Sequence, residues 1–165
     1  MVGGFFILKT LIFVVYSYII IMSYQWFTGS GQQIEFDEIL YIIKEHCYLN
    51  GKVYVGTDSF VKKRDCIFSS AICLYGADDQ IGGRYFVQRY KLKKSSFSHL
   101  SVRMLKEAEK TIEIAHKIAS DCPWADLELH LDISNAEKNE GTSALAKMLV
   151  GYVKGSGFEC KIKPY

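Results

Sequence analysis

Two acidic residues close strand-like apolar segments of the chain. Asp58 follows Val53-Tyr54-Val55-Gly56-Thr57, and Asp132 follows the alternating segment from Leu127 to Leu131. Aspartate is disfavoured in strands of this apolar kind, so its presence twice needs an explanation. If the two strands are neighbours, their carboxylates come together and repel unless a hard cation lies between them. The sequence therefore predicts a site for Mg²⁺ or Mn²⁺.

A third carboxylate can come from the long helical segment between these strands. It offers Glu107, Glu109 and Glu113, and Glu107 is the first candidate because it lies near the border of the apolar stripe. A cluster of this composition suits two-metal phosphoryl transfer, in which one ion activates water and the other stabilises the leaving oxygen. We therefore predict that Asp58, Glu107 and Asp132 are both the metal ligands and the catalytic residues.

Each of these residues also has a structural interpretation. Asp58 could be a turn residue that hydrogen-bonds its own backbone, and Asp132 could simply begin a loop. Glu107 could be a solvated helix residue paired with Arg103 or Lys110 at helical spacing. Taken singly, the two aspartates favour the structural interpretation, whereas their joint placement after two strands favours a shared site.

Basic residues cluster after the first strand and along the third. Because the net charge is only +2, any attraction to nucleic acid must come from such local patches. Aromatic residues interleave with the second group and could stack on bases, although strand alternation requires some of them to be core. The alternative is that these charges are solvated faces. The predicted nucleic-acid contacts are Lys62, Lys63, Arg64, Arg89, Lys91, Lys93 and Lys94.

The elements that position these residues follow from apolar periodicity and turn signals. Their order is helix, three strands, helix, strand, helix, strand, with short connections between the first three strands. This order predicts one α/β domain with a mixed sheet and helices packed on it. The segments are a helix over 34–47, strands over 52–60, 66–75 and 83–92, a helix over 98–120, a strand over 127–133, a helix over 142–154 and a strand over 158–163.

The first 28 residues are predicted to form a separate apolar segment, with the folded domain over 33–165. The run from Phe5 to Met22 approaches the length that spans a bilayer, so a membrane anchor and a mis-assigned start at Met22 are both open. Five scattered cysteines lack zinc-site spacing and fit buried reduced thiols. We expect a cytoplasmic protein, with a membrane-anchored one as the alternative.

Four short segments resemble the YkuK-like family of predicted ribonuclease H-like nucleases. They are Tyr54-Val55-Gly56-Thr57-Asp58-Ser59, Arg103-Met104-Leu105-Lys106-Glu107, His130-Leu131-Asp132-Ile133 and Lys161-Ile162-Lys163-Pro164, and the resemblance covers roughly residues 34 to 165. It implies a five-stranded sheet with its second strand antiparallel and an active site on the same three carboxylates. Such enzymes usually add a ligand from a last helix, so a chain ending at Tyr165 is expected to lack that helix and to be a truncated, impaired form.

Three functions follow from these observations. The leading hypothesis is a metal-dependent nuclease that hydrolyses phosphodiester bonds of RNA or DNA. The second is a non-catalytic nucleic-acid-binding or scaffold module of the same fold. The third takes Gly56-Thr57-Asp58-Ser59 as the phosphate loop of a sugar-kinase or actin-like ATPase, which is disfavoured because no second glycine-rich loop follows Asp132.

Overall fold

The structure is a computed structural model that describes residues 25–97, 99–134 and 140–163. Along the described residues, two short strands precede the first helix, a three-stranded meander leads into a long helix, and a strand, a helix and a strand follow. The elements are β1 (Trp26–Thr28), β2 (Gln33–Ile34), α1 (Phe36–Tyr48), β3 (Lys52–Lys62), β4 (Asp65–Tyr75), β5 (Arg84–Lys93), a 3-10 turn (Lys94–Ser96), α2 (Leu100–Asp121), β6 (Asp126–Ser134), α3 (Glu140–Gly155) and β7 (Glu159–Lys163).

The strands form one mixed sheet in the order β2-β1-β5-β4-β3-β6-β7. Strand β4 is antiparallel to both β3 and β5, whereas β6 is parallel to β3 and to β7. The five strands from β3 to β7 thus give the predicted ribonuclease H-like arrangement with its second strand antiparallel. The α/β fold class is confirmed, and the sheet has seven strands where five were predicted.

The two additional strands come from the beginning of the described chain. Strand β1 pairs antiparallel with the edge of β5, and β2 pairs with β1 through a turn in which Gly31 has a φ of +83°. Trp26 is only 4% exposed and its ring centroid lies 5.7 Å from that of Phe36. The sheet therefore begins before residue 33, where the sequence analysis placed the start of the domain.

All three helices pack on one face of the sheet, which we call the covered face. Apolar side chains of α1 and α2 pack there against Val53 and Val55 of β3, and side chains of α2 and α3 pack against Leu129 and Leu131 of β6. The burial of apolar side chains at alternate positions of each strand explains this arrangement, since successive side chains of a strand point to opposite faces.

The opposite face, which we call the open face, carries half-exposed and exposed side chains throughout the described residues. Its small residues are Gly56 on β3 and Ser69, Ala71 and Cys73 on β4. None of the helices in residues 25–97, 99–134 and 140–163 packs against it. A surface of this breadth, next to two predicted site residues, is available to a ligand.

The apolar run from Phe5 to Met22 lies outside the described residues, as does Ser98, the predicted start of the long helix. Within the part of the chain that is described, no helix is both long enough and apolar enough to cross a membrane.

Candidate functional site

Asp58 and Asp132 occupy equivalent positions on two neighbouring parallel strands. The ladder between β3 and β6 ends at the pair Gly56 and His130, and each aspartate comes two residues beyond it. Both side chains are exposed. Both line a trough on the open face whose other lining residues include Gly56, Ala71 and Cys73. The structure therefore places the two aspartates together at one point of the sheet.

The strands themselves continue past both aspartates, which differs from the predicted strand ends. Strand β3 runs on to Lys62 because its antiparallel ladder with β4 extends that far. Strand β6 likewise continues to Ser134. The pairing between β3 and β6 ends just before the aspartates. The two carboxylates therefore lie on either side of the point where these strands separate.

Gly56 allows β3 and β6 to approach closely just before that place. A Cβ atom at position 56 would lie 3.0 Å from the carbonyl oxygen of His130, which is backbone and cannot rotate away. A side chain at this position would push the two strands apart and would separate Asp58 from Asp132. The glycine of the Gly56-Thr57-Asp58-Ser59 segment is therefore explained by strand packing.

Glu107 approaches the aspartates from the covered face. It lies on α2, is only 7% exposed, and accepts a hydrogen bond of 2.5 Å from the hydroxyl of Ser59. The backbone N–H of the same serine donates to Oδ1 of Asp58 at 2.7 Å. Ser59 thus connects two of the three predicted carboxylates, a role that the sequence analysis missed although this residue follows Asp58 directly.

The environment of Glu107 raises its pKa from 4.5 to about 7. Burial is the largest cause, because it disfavours the charged carboxylate, and the negative charges of Asp58 and Asp132 add to it. The Ser59 hydrogen bond and the charge of Arg103, whose Nε lies 3.9 Å from Oε1, act in the opposite direction. Glu107 therefore shares an electrostatic environment with both aspartates, and a cation beside them would favour its ionised form.

The other two glutamates of this helix are directed elsewhere. Glu109 forms an ion pair with Lys106 at 2.9 Å. Glu113 forms ion pairs with Lys110 at 2.5 Å and Lys117 at 3.2 Å. Of the three glutamates considered from the sequence, Glu107 is the one that the helix turns toward β3.

Carboxylate oxygens are the donors that Mg²⁺ and Mn²⁺ prefer, so the chemistry of these side chains fits such a cation. Their arrangement is split, however, with Asp58 and Asp132 on the open face and Glu107 on the covered face. Among the described residues, no three histidine, cysteine or acidic side chains form a group compact enough to hold a metal ion. The two aspartates are thus the natural pair to bind a cation, and Glu107 would have to move to join them.

Three of the predicted nucleic-acid contacts share the open face with Asp58. Strand pairing places Asp58, Ser69 and Arg89 in one row, with the Nε of Arg89 donating to the Ser69 hydroxyl at 3.4 Å. Lys91 and Lys93 follow at alternate positions of β5, and all three basic side chains are exposed. We call Arg89, Lys91 and Lys93 the basic row.

The remaining predicted contacts lie near one end of the basic row. Lys62 is in the same cross-strand row as Lys93, since both pair with Asp65. Lys63 and Arg64 form the exposed turn between β3 and β4. The backbone N–H of Lys94 donates to the carbonyl oxygen of Arg64, which brings this residue to the same turn.

The aromatic residues that interleave with these positives divide between core and surface. Phe86 and Tyr90 are 1% and 3% exposed, so they belong to the core and cannot stack on bases. Tyr85 is 47% exposed. Strand alternation had required this division.

A second polar group beside Asp132 was not included in the predicted site. The Nε2–H of His130 donates to Oε1 of Glu128 at 2.7 Å, and the Nζ of Lys161 lies 3.0 Å from Oε2 of the same glutamate. His130 and Lys161 line the trough that contains the two aspartates. The sequence signal was the spacing of two residues between His130 and Asp132, which places both on one face of a strand.

A family model described as "Ribonuclease H-like" matches residues 35–165 of the chain. Comparisons with curated proteins and with solved structures gave no match. The matched range includes α1, all five strands from β3 to β7, and the three carboxylates, which agrees with the resemblance found in the sequence motifs. By this match over most of its length, the chain belongs to the ribonuclease H-like family.

Proposed function

We propose that this protein is a divalent-metal-dependent nuclease that hydrolyses phosphodiester bonds of nucleic acid. The observation that carries the proposal is the equivalent placement of Asp58 and Asp132, each two residues beyond the last pair of the β3–β6 ladder. The basic row lies on the same face. Two carboxylates beside a row of exposed cations suit a phosphate backbone brought to a metal ion.

In this proposal Asp58 and Asp132 bind Mg²⁺ or Mn²⁺, which when bound supplies Lewis-acid stabilisation and a nucleophilic water near neutral pH. Ser59 holds Asp58 through its backbone N–H and Glu107 through its hydroxyl. Glu107, with a pKa of about 7, can take up or release a proton in the physiological range. It would serve as a third ligand if it moved from the covered face, and otherwise it positions Asp58 through Ser59.

The basic row supports binding rather than chemistry. Arg89, Lys91 and Lys93 contact phosphates along the strand and so fix the position of the scissile group relative to Asp58. Contacts of this kind supply affinity and orientation without reading base identity.

The proposal is tested by incubating the purified chain with labelled RNA and DNA, single-stranded and duplex, in Mg²⁺ and in Mn²⁺. We expect metal-dependent cleavage that falls at least ~100-fold in Asp58→Asn, because a metal ligand is lost. The matched control is Asp126→Asn, which removes an exposed carboxylate paired with Lys52 at the far end of the same two strands. Equal activity in the two variants, or no cleavage of any substrate, would contradict the proposal.

A second candidate is a nucleic-acid-binding module that does not cleave. This candidate is favoured because Glu107 lies on the covered face, whereas the two aspartates lie on the open face, so the three carboxylates do not form one metal site. Such a module would bind nucleic acid with strong dependence on salt concentration and with no dependence on divalent metal. The cleavage assay together with binding in EDTA distinguishes it from the nuclease.

A further inference from the structure

A trough of about 400 Å³ on the open face adjoins the two aspartates. Its floor consists of the small residues Gly56, Ser69, Ala71 and Cys73 of β3 and β4. Because these side chains are short, a flat molecule can lie directly against the sheet. The volume falls within the range of about 300 to 1,000 Å³ that is typical of small-molecule sites.

The walls of the trough are aromatic on one side and polar at the rim. The ring of Tyr54 contacts the His130 ring edge-on, with their centroids 5.4 Å apart. Glu128 holds both His130 and Lys161 through its two carboxylate oxygens. The lining therefore combines an apolar floor with hydrogen-bonding groups whose positions are fixed by neighbouring side chains.

We propose that this trough holds one unstacked nucleobase of the strand whose phosphate lies at Asp58 and Asp132. The inference rests on the proposed function and assigns its substrate class as nucleic acid that is single-stranded or locally unpaired. A base has an apolar face and a polar edge, which are the two chemistries that the floor and the rim offer. A base stacked inside an intact duplex cannot reach the floor of the sheet.

The charges on the open face favour this occupant over an apolar peptide. Arg89 is in the same cross-strand row as Asp58, and Lys91 and Lys93 extend that line of positive charge away from the trough. A nucleic-acid strand can follow the basic row with its backbone and place a base in the trough where the row meets the aspartates. A purely apolar partner would make no contact that uses this positive charge.

The test measures binding, in Ca²⁺ or EDTA so that cleavage does not interfere, by fluorescence anisotropy of a labelled oligonucleotide. Ala71→Phe fills the floor of the trough. Val87→Phe is the matched control, because Val87 pairs with Ala71 in the next strand but does not line the trough. Each variant is measured with a single strand that carries bases and with a strand of equal length made of abasic sites.

We expect Ala71→Phe to weaken binding of the base-carrying strand about 10-fold, because the new side chain occupies the space of the base. Val87→Phe should bind like the original chain. The abasic strand should bind more weakly to the original chain and should not distinguish the two variants. Equal weakening of both strands by Ala71→Phe, or no weakening, would overturn the inference.

Two further outcomes also overturn it. A large loss of thermal stability in Ala71→Phe, absent in Val87→Phe and accompanied by equal weakening of both strands, would mean that another part of this chain fills the trough. A change in oligomeric state confined to Ala71→Phe would mean that a second copy does. Binding that depends on the bases, without cleavage, would support this inference and contradict the proposed nuclease function. Cleavage with binding that does not depend on the bases would support the nuclease function and contradict this inference, so the two failures are distinguishable.

Discussion

The hydroxyl of Ser59 donates a hydrogen bond of 2.5 Å to Oε1 of Glu107. This bond joins β3 to the long helix α2 across the buried side of the candidate site. The backbone N–H of the same residue donates to Oδ1 of Asp58, the preceding residue of the strand. A single serine therefore controls the charge of one carboxylate and the orientation of another.

Replacement of Ser59 by alanine should raise the pKa of Glu107 above its present value of about 7, since the hydrogen bond favours the ionised form. The free energy of unfolding should fall by about 1 kcal/mol for the lost hydrogen bond. Carboxyl titration followed by NMR measures the pKa. Ser70→Ala is the control, because it removes another buried hydroxyl pair, that with Thr57, and should leave Glu107 unchanged.

The metal-free protein should lose stability as pH rises from about 4.5 to about 7 through the titration of Glu107. Its pKa is higher in the folded chain than in the unfolded one, so the folded state holds a proton that the unfolded state has released in this window. The largest loss in the free energy of unfolding from this titration is ~3 kcal/mol, and solvent screening reduces that value.

Urea unfolding at several pH values, compared between the original chain and Glu107→Gln, isolates this contribution. The difference in unfolding free energy between the two proteins should grow above pH 4.5 and level off above about 7. Glu109→Gln, which removes a surface carboxylate paired with Lys106, should follow the original chain. A difference that does not change with pH would contradict the burial of an ionisable Glu107.

Removal of charges from the basic row should weaken nucleic-acid binding in a way that depends on salt. Each of Arg89→Ala, Lys91→Ala and Lys93→Ala should reduce the slope of log K against log salt concentration by roughly 0.7 to 0.9 if the residue contacts a phosphate. Lys154→Ala, an exposed charge at the end of α3, is the control. Equal slopes in all four variants would show that the strand does not follow the open face.

Trp26 should contribute strongly to stability although it precedes the matched family region. It is 4% exposed and packs in the same core cluster as Ile34 and Phe86. Trp26→Ala should destabilise the fold by about 3 to 5 kcal/mol, the usual range for a large buried aromatic residue. Thermal or urea unfolding measures it, with exposed Trp124→Ala as the control. Similar stability in both variants would mean that β1 does not belong to the folded domain.

The sequence predicted the order of the main elements and the fold class because apolar alternation and helical periodicity are strong in β3 to β7 and in α2. It also singled out Glu107 among three glutamates from its place beside the apolar stripe, and the structure turns that residue toward Ser59. Strand β1 was not predicted because it has only three residues and follows a long apolar run, so no change in the hydropathy pattern indicates where it begins.

The distribution of the carboxylates over two faces of the sheet could not be predicted. Spacing along the chain gives the face of Asp58 relative to its own strand, but the side from which a helix approaches depends on how all elements pack. The trough could not be predicted either, because it too depends on how the elements pack. Its floor combines Gly56 with Ala71 and Cys73, which become neighbours only through the register of β3 against β4.

The most direct test of the account is to count bound Mn²⁺ by electron paramagnetic resonance in the original chain, Asp132→Asn and Asp126→Asn. We expect Mn²⁺ to bind at millimolar concentrations or below in the original chain and in Asp126→Asn, and to be lost in Asp132→Asn. Binding that survives in Asp132→Asn, or no binding to the original chain at such concentrations, would contradict the claim that the paired aspartates of β3 and β6 hold a catalytic cation.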